Sequence, residues 1–454
     1  MHALKEVWIF AIISALLFDL PVSFVARSAV VFTNPAPATQ AAFGISLASL
    51  GNDRVISGAY LKDTAYLLHT NGSLLTTFTN PIPMTGGNFG WSAASVGSDF
   101  VLIGAPANLP GKGATYLFTT GGVLVTVFTN PVPGPLNSFG WAVASLNNDR
   151  VLIADQLADG STNNAGAVYL FTTNGTLLAT CPGPPSRSAN LGSSVSAVGD
   201  GLIIAGASGW DLNISTTDVG AAYVFRTNGV LLTTITNPTP ATAEQFGNSV
   251  AALDDGRVLI GAPHKKSAGL DTGAAYLYTT AGSLLTTFTN PIPAQLDNFG
   301  WSVAGVGARW VLVGAPQAGG RLGAAYLFDT NGTWLFTFTK DSRSPTDYLG
   351  HAVASLGLNH VLVGAWGDDI GAVDSGAVYL FDFPYPALSV MRDAQNVTIQ
   401  WTTDETNLVL HTSATVGSTA SWTEKIGDVT VVGNSHTVHE SLTLTNRFFK
   451  LRRR

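Results

Sequence analysis

The sequence is short of charge, cysteine and long hydrophobic runs. Only 11% of its 454 residues are Asp, Glu, Lys or Arg, and the formal net charge is −7. Nucleic acid and anionic membrane surfaces are bound by clustered Lys and Arg, so this balance argues against both as partners. Four of the 22 basic residues gather at the end, Lys450 and Arg452 to Arg454, and read as a solvated tail. One cysteine, Cys181, excludes an intrachain disulfide. With no histidine near it in sequence, it reads as a neutral variation rather than a nucleophile. The lack of disulfides does not exclude export, because a chain this long can build an adequate core without them. There is no Gly-x-Ser-x-Gly elbow, phosphate-binding loop, HExxH or Cys-x-x-Cys pair. No catalytic residue, metal ligand or cofactor site is therefore assigned.

The longest apolar run, Val7 to Phe18, is short for a membrane span and suits the core of a secretory signal. Ala26 and Ser28 supply small residues for a cut before Ala29. Residues 1–28 are thus expected to be a signal peptide, leaving a secreted or cell-surface protein with no stable membrane span after cleavage.

What the chain has in abundance is glycine, 49 residues of it, and short apolar segments. An opening Phe-Gly or Leu-Gly recurs at Phe43, Phe89, Phe139, Leu191, Phe246, Phe299 and Leu349, at spacings of 46 to 55 residues. Each unit holds four runs rich in Val, Phe, Tyr, Leu and Thr, too short for helices and separated by turn residues. A period near 50 with four strands per unit predicts the blade of a β-propeller, and seven copies predict seven blades. Within the opening run, Phe299, Trp301 and Val303 alternate with Gly300, Ser302 and Ala304, which places bulk on one face and small residues on the other. Trp91, Trp141 and Trp301 follow the repeat and read as packing between blades. The second run ends in Gly-Ala-Pro, as at Gly104 to Pro106, Gly261 to Pro263 and Gly314 to Pro316. The third and fourth are joined by dipeptides such as Asn71-Gly72 and Asn331-Gly332, which suit the left-handed angles of a tight hairpin.

The fourth run closes in Thr-Asn-Pro at Thr79, Thr129, Thr236 and Thr289, with Cys181 in place of Asn in unit three and Lys340 in unit six. The seventh unit lacks a fourth run. The missing piece stands before the first unit, as Val30 to Pro35, and is expected to complete the last blade and close the ring. The fold class is therefore all-β: a seven-bladed β-propeller over residues 29–384, followed at 387–454 by a small β-sandwich-like module. In that module His436 and His439 are three apart on one strand, hence on opposite faces and unsuited to one ion.

The Phe-Gly opening followed by Gly-Ala-Pro resembles the FG-GAP repeat, the blade motif of integrin α-subunit propellers and of many bacterial exported proteins. The resemblance covers about residues 29–384 and implies a propeller used for binding, adhesion or scaffolding, without implying one activity. Calcium-binding blades of that family carry an Asp-x-Asp/Asn-x-Asp-Gly loop between the first two strands. The matching loops here, such as Leu50 to Val55 and Val306 to Val311, lack three spaced acidic residues and resemble the calcium-free bacterial variety.

The longest segments that fail to repeat are 156–165, 208–219, 264–272 and 366–375, between second and third strands. On a propeller these loops share a face with the connections between blades, and variable loops on a rigid framework are where recognition resides. Trp210, His264, Lys265, Trp366 and Asp368 are the ligand-binding candidates. The expected function is a non-catalytic binding, adhesion or scaffold role toward protein or carbohydrate at the cell surface. An extracellular propeller hydrolase or lyase acting on polymers, or a purely structural envelope component, are the alternatives.

Overall fold

The computed structural model describes residues 28–383 with short interruptions at 84–85, 135, 161, 200, 268 and 341–343, the strand Phe24–Ala26 ahead of them, and strands between 388 and 453. Most of the expected signal segment, and the stretch where the propeller was expected to end, lie outside the described residues. Two compact units emerge, one formed by 22–382 and one that contains the C-terminal strands.

The first unit is seven antiparallel sheets. Blade 1 runs Phe43–Leu50, Arg54–Ala59, Thr64–His69 and Leu74–Thr79, and blades 2 to 6 repeat this order up to Phe338. Second and third strands are buried along almost their whole length, as in Arg54–Ala59 and Ala114–Thr119, because both faces meet a neighbouring blade. First strands line the axis and touch those of the blades on either side, including Val353–Leu356 of blade 7 against Phe43–Leu50 of blade 1. The ring is closed.

The repeat motif is the interlock between blades. The opening phenylalanine is fully buried, and Phe89, Phe139, Phe246 and Phe299 each pack on two aromatic rings of their own third strand. Its backbone pairs with the preceding blade, as Phe139 with Gly113 and Phe299 with Gly273. The carbonyl of the next glycine then lies against the glycine of the preceding blade's Gly-Ala-Pro. A Cβ on Gly206 would stand 1.8 Å from the Gly247 oxygen, and one on Gly261 2.0 Å from that of Gly300. Only hydrogen fits there. A serine of the first strand ties the same carbonyl: Ser46 Oγ donates to Gly90 O at 2.8 Å and Ser302 Oγ to Gly350 O at 2.8 Å.

Closure follows the expected route. Ser28–Thr33 pairs antiparallel with Ala377–Asp382 as the outermost strand of blade 7, with Phe32 buried between blades 7 and 1. Ahead of it Phe24–Ala26 adds a fifth strand to blade 6, parallel to Trp334–Phe338. In the second unit, Leu388–Arg392, Asn396–Thr402, Ser435–Ser441 and Val429–Val432 form one sheet in that order, and Thr423–Glu424, Leu408–Ser413 and Phe448–Arg453 another.

Two local expectations are corrected. The opening does not alternate as a simple strand, because its glycine takes a positive φ, 93° at Gly44 and 95° at Gly192, and the register slips there. In most blades the regular first strand starts only after it, at Ser92 or Ser302 for example. The hairpins are also wider than a two-residue turn. Gly72 N donates to His69 O and His69 N to Ser73 O, and only Gly72 has positive φ, which is a four-residue turn with a bulge.

Candidate functional site

Two sets of residues converge on the loop face, and both begin where the repeat is broken. The first set lies beneath the connections between blades. The asparagine of Thr-Asn-Pro accepts a bond from the backbone two residues on, as Ile82 N to Asn80 Oδ1 at 3.1 Å, which turns the chain out of the strand. Its amide then donates to an acid: Asn130 to Asp155 at 2.7 Å, Asn237 to Glu244 at 2.6 Å and Asn290 to Asp297 at 2.7 Å. These acids are almost wholly buried, and burial raises the carboxyl pKa of Asp155 and Asp297. In blade 3 the buried Cys181 takes the asparagine's place, and burial pushes its thiol up to about 12, far from reactive.

At the junction of blades 6 and 7 the post becomes ionic. Lys340 Nζ meets Asp347 Oδ2 at 2.8 Å and also pairs with Asp368 Oδ2, which accepts the Tyr379 hydroxyl at 2.6 Å. Burial, then the Asp368 carboxylate, drives the Tyr379 pKa up, so the phenol keeps its proton as donor. The expected candidate Asp368 is thus 2% exposed and fully engaged inside the framework. Lys265 is similarly committed, to Glu244 Oε1 at 2.8 Å and Thr239 O at 2.6 Å. His264 faces Asp271 at 3.6 Å within its own loop, and Trp210 packs half-buried against the core of blades 3 and 4. These four are not brought together into one pocket.

Trp366 belongs to the second set. The residue after each opening glycine sits where the first strand leaves the blade connection, at the loop-face end of the channel. In order these are Ile45, Trp91, Trp141, Ser193, Asn248, Trp301 and His351, all half-buried. They reach toward one another around the ring. Trp91 and Trp141 have centroids 4.7 Å apart, Asn248 Nδ2 donates to Trp301 O at 3.1 Å, and Trp301 meets His351 at 5.5 Å. His351 in turn bonds the Ile45 backbone. Blades 1 and 7, neighbours across the closure, add rings where Gly-Ala-Pro would place proline. Tyr60 stands edge-on to Trp91 at 5.0 Å, and Trp366 stacks on Tyr348 at 4.7 Å and meets His351 at 6.1 Å. The mouth is lopsided: aromatic from blade 6 round to blade 3, with Ser193, Ser208 and Asn248 on blades 4 and 5. The repeat concealed this, since His351 and the tryptophans each look like routine substitutions until the ring places them side by side.

Burial of the His351 ring lowers its pKa to about 4, so it is neutral at neutral pH. Its Nδ1 and the nearby Trp366 Nε1 are buried without a hydrogen-bond partner. Deeper in, the channel holds about 310 Å³ between walls of Ala, Ser, Gly and Val, including Ser49, Ser95, Ser145 and Ser355. Among the described residues no group of three or more His, Cys, Asp or Glu is arranged to hold a metal, and no helix is long and apolar enough to cross a membrane.

Known proteins share parts of this design. A family profile described as FG-GAP repeat matches residues 232–278 and 338–381. Virginiamycin B lyase from Staphylococcus aureus superposes with a TM-score of 0.57 at 12% identity, covering 78% of this chain and 99% of that one. A streptogramin B lyase gives 0.57 at 12%, covering 78% and 98%. The WD40 β-propeller domain of Doa1 gives 0.50 at 10%, covering 79% and 98%. At these identities the likeness is one of fold. No curated protein sequence matches the chain. The FG-GAP repeat profile thus matches parts of the ring, and the chain is a closed seven-bladed β-propeller that carries FG-GAP repeats at those positions.

Proposed function

We propose that the protein is an exported, non-catalytic binding or adhesion module that engages a cell-surface protein or carbohydrate through its loop face. The observation that carries this reading is the contrast between framework and loop face. Charged groups at the blade junctions, Lys265 and Lys340 with Glu244, Asp347 and Asp368, are consumed in holding neighbouring blades. The loops 156–165, 208–219, 264–272 and 366–375 lie on the same face as the half-buried aromatic residues of the mouth. A rigid base with variable loops is an arrangement suited to recognition. The channel wall of small neutral side chains offers no acid and base pair to work on a substrate.

The test is a screen of the processed chain against arrayed glycans and cell-surface proteins, beside a variant in which the tips of the four loops, residues 159–164, 211–218, 266–271 and 369–374, are replaced by short turns that leave the Lys265 and Asp368 ion pairs in place. Binding should be lost in the variant while the melting temperature holds. Binding that survives the exchange would remove the loop face as the recognition surface.

A further inference from the structure

We infer that the aromatic mouth of the channel is a binding site for a neutral carbohydrate chain. This deepens the loop-face reading above and rests on it. Three observations point the same way.

The first is shape and polarity. Trp141, Trp91 and Tyr60 form one run of touching rings and Trp301, His351 and Trp366 another, with Ile45 between them. The far side presents Ser193, Ser208 and Asn248. A pyranose is amphipathic in the same way: one face offers C–H groups to the flat of an aromatic ring, and its edge offers hydroxyls.

The second is the pair of unpartnered polar atoms. Trp366 Nε1 can only donate. His351 bonds the Ile45 backbone through its other ring nitrogen and is neutral, so its Nδ1 can only accept. A donor and an acceptor on neighbouring rings, with centroids 6.1 Å apart, match a ligand whose groups both accept and donate, as hydroxyls do. Leaving both buried atoms unpaired is costly, and a sugar hydroxyl that enters as the rings part removes that cost.

The third is charge. Lys265 and Lys340, which hold blade junctions on this face, are tied to buried carboxylates and so are not offered to an acidic sugar. None of the mouth residues named above carries a formal charge at neutral pH. Neutrality of site implies neutrality of ligand.

The experiment is titration calorimetry of the full chain with hexasaccharides of β-1,4-glucose, β-1,3-glucose, β-1,4-xylose, N-acetylglucosamine and α-1,4-glucose, with an oligogalacturonate as the charged comparison. At least one neutral hexasaccharide should give saturable heat, and the oligogalacturonate none. Trp366→Phe, which keeps the ring and removes the donor, and Trp141→Ala should each weaken binding by about tenfold or more. Their melting temperatures serve as the folding control, and if Trp141→Ala is unstable, Trp91→Tyr replaces it. Silence toward every neutral sugar, preference for the charged one, or affinity unchanged in Trp366→Phe would each overturn the inference. If the loop-dependent ligand proves to be a polypeptide with no response to sugars, the loop-face reading stands and this one falls. If a sugar binds with full affinity after the loops of blades 3 to 5 are exchanged but is lost in Trp366→Phe, this one stands and the role of those loops falls.

Discussion

At Gly206 one added carbon would lie 1.8 Å from the Gly247 carbonyl oxygen and 2.6 Å from Ser194 Oγ. Gly206→Ala should therefore push blades 4 and 5 apart and cost about 1–3 kcal/mol, read as a lower urea midpoint. Blade 3 shows the limit of the rule. Ala154 occupies that position, and its methyl lies against Gly192 of the next blade, where a Cβ would stand 2.7 Å from it. His351 supplies a second test. Its folded pKa near 4 lies below the ordinary value of 6.5, because burial penalises the charged ring. Folding thus favours the neutral form, and the resulting stability is complete above about pH 6.5 and is lost as pH falls toward 4. The loss should reach up to about 3 kcal/mol. In His351→Gln, melting temperature between pH 7 and pH 4 should fall less steeply than in the parent chain; equal slopes would place the titration elsewhere. Residue identity alone showed none of this. Lys265 and Asp368 have the chemistry of binding residues, but their charges are spent on partners in other units of the repeat. Trp366 stands out as a candidate by its loop and His351 looks routine, yet the register brings the two rings within 6.1 Å.

Among the elements, the strand Ser28–Thr33 was the most legible, because a missing fourth run in one unit and a surplus run before the first can be matched by eye. It pairs with Ala377–Asp382, and Phe32 is 1% exposed. Phe32→Ala should cost about 3–5 kcal/mol, and deletion of residues 29–36 more, because the ring then opens at its only chain-closing seam. Differential scanning calorimetry measures both, and an unchanged transition would remove the closure from the account. The junction posts were not legible at all. Thr-Asn-Pro repeats plainly, but the acids it meets come from different places: Asp155 ends a second strand, whereas Glu244 and Asp297 lie in connections between blades. Where Lys340 replaces the asparagine, two carboxylates answer it. Lys340→Met would leave Asp347 and Asp368 facing each other without a cation, at a cost of about 3–5 kcal/mol in a denaturation experiment near neutral pH. Lowering the pH should recover part of that loss, since protonation relieves the repulsion.

The whole ring presents its outermost strands as edges, and there the composition is unusual. Those of blades 1 to 5 begin with two apolar residues, Leu74-Leu75, Leu124-Val125, Leu177-Leu178, Leu231-Leu232 and Leu284-Leu285, all of them exposed. The second residue of each pair is the extra residue of a β-bulge, where the ladder slips and both apolar side chains are left open to water. Blade 6 differs: Phe24–Ala26 lies along its edge strand, whose residues are all half-buried or buried. An edge that accepts a strand from its own chain has the backbone geometry to accept one from another, and five such edges ring the molecule. The expected consequence is concentration-dependent association through the rim. Replacing Leu75, Leu178, Leu232 and Leu285 each by Lys leaves the buried second and third strands untouched, and exposed substitutions of this kind shift stability by only about 0.5 kcal/mol apiece. The melting temperature should therefore hold while light scattering at high concentration falls toward the monomer value. If the quadruple variant associates as the parent chain does, the rim is not the adhesive surface and the loop face, with its aromatic mouth, is the next place to look.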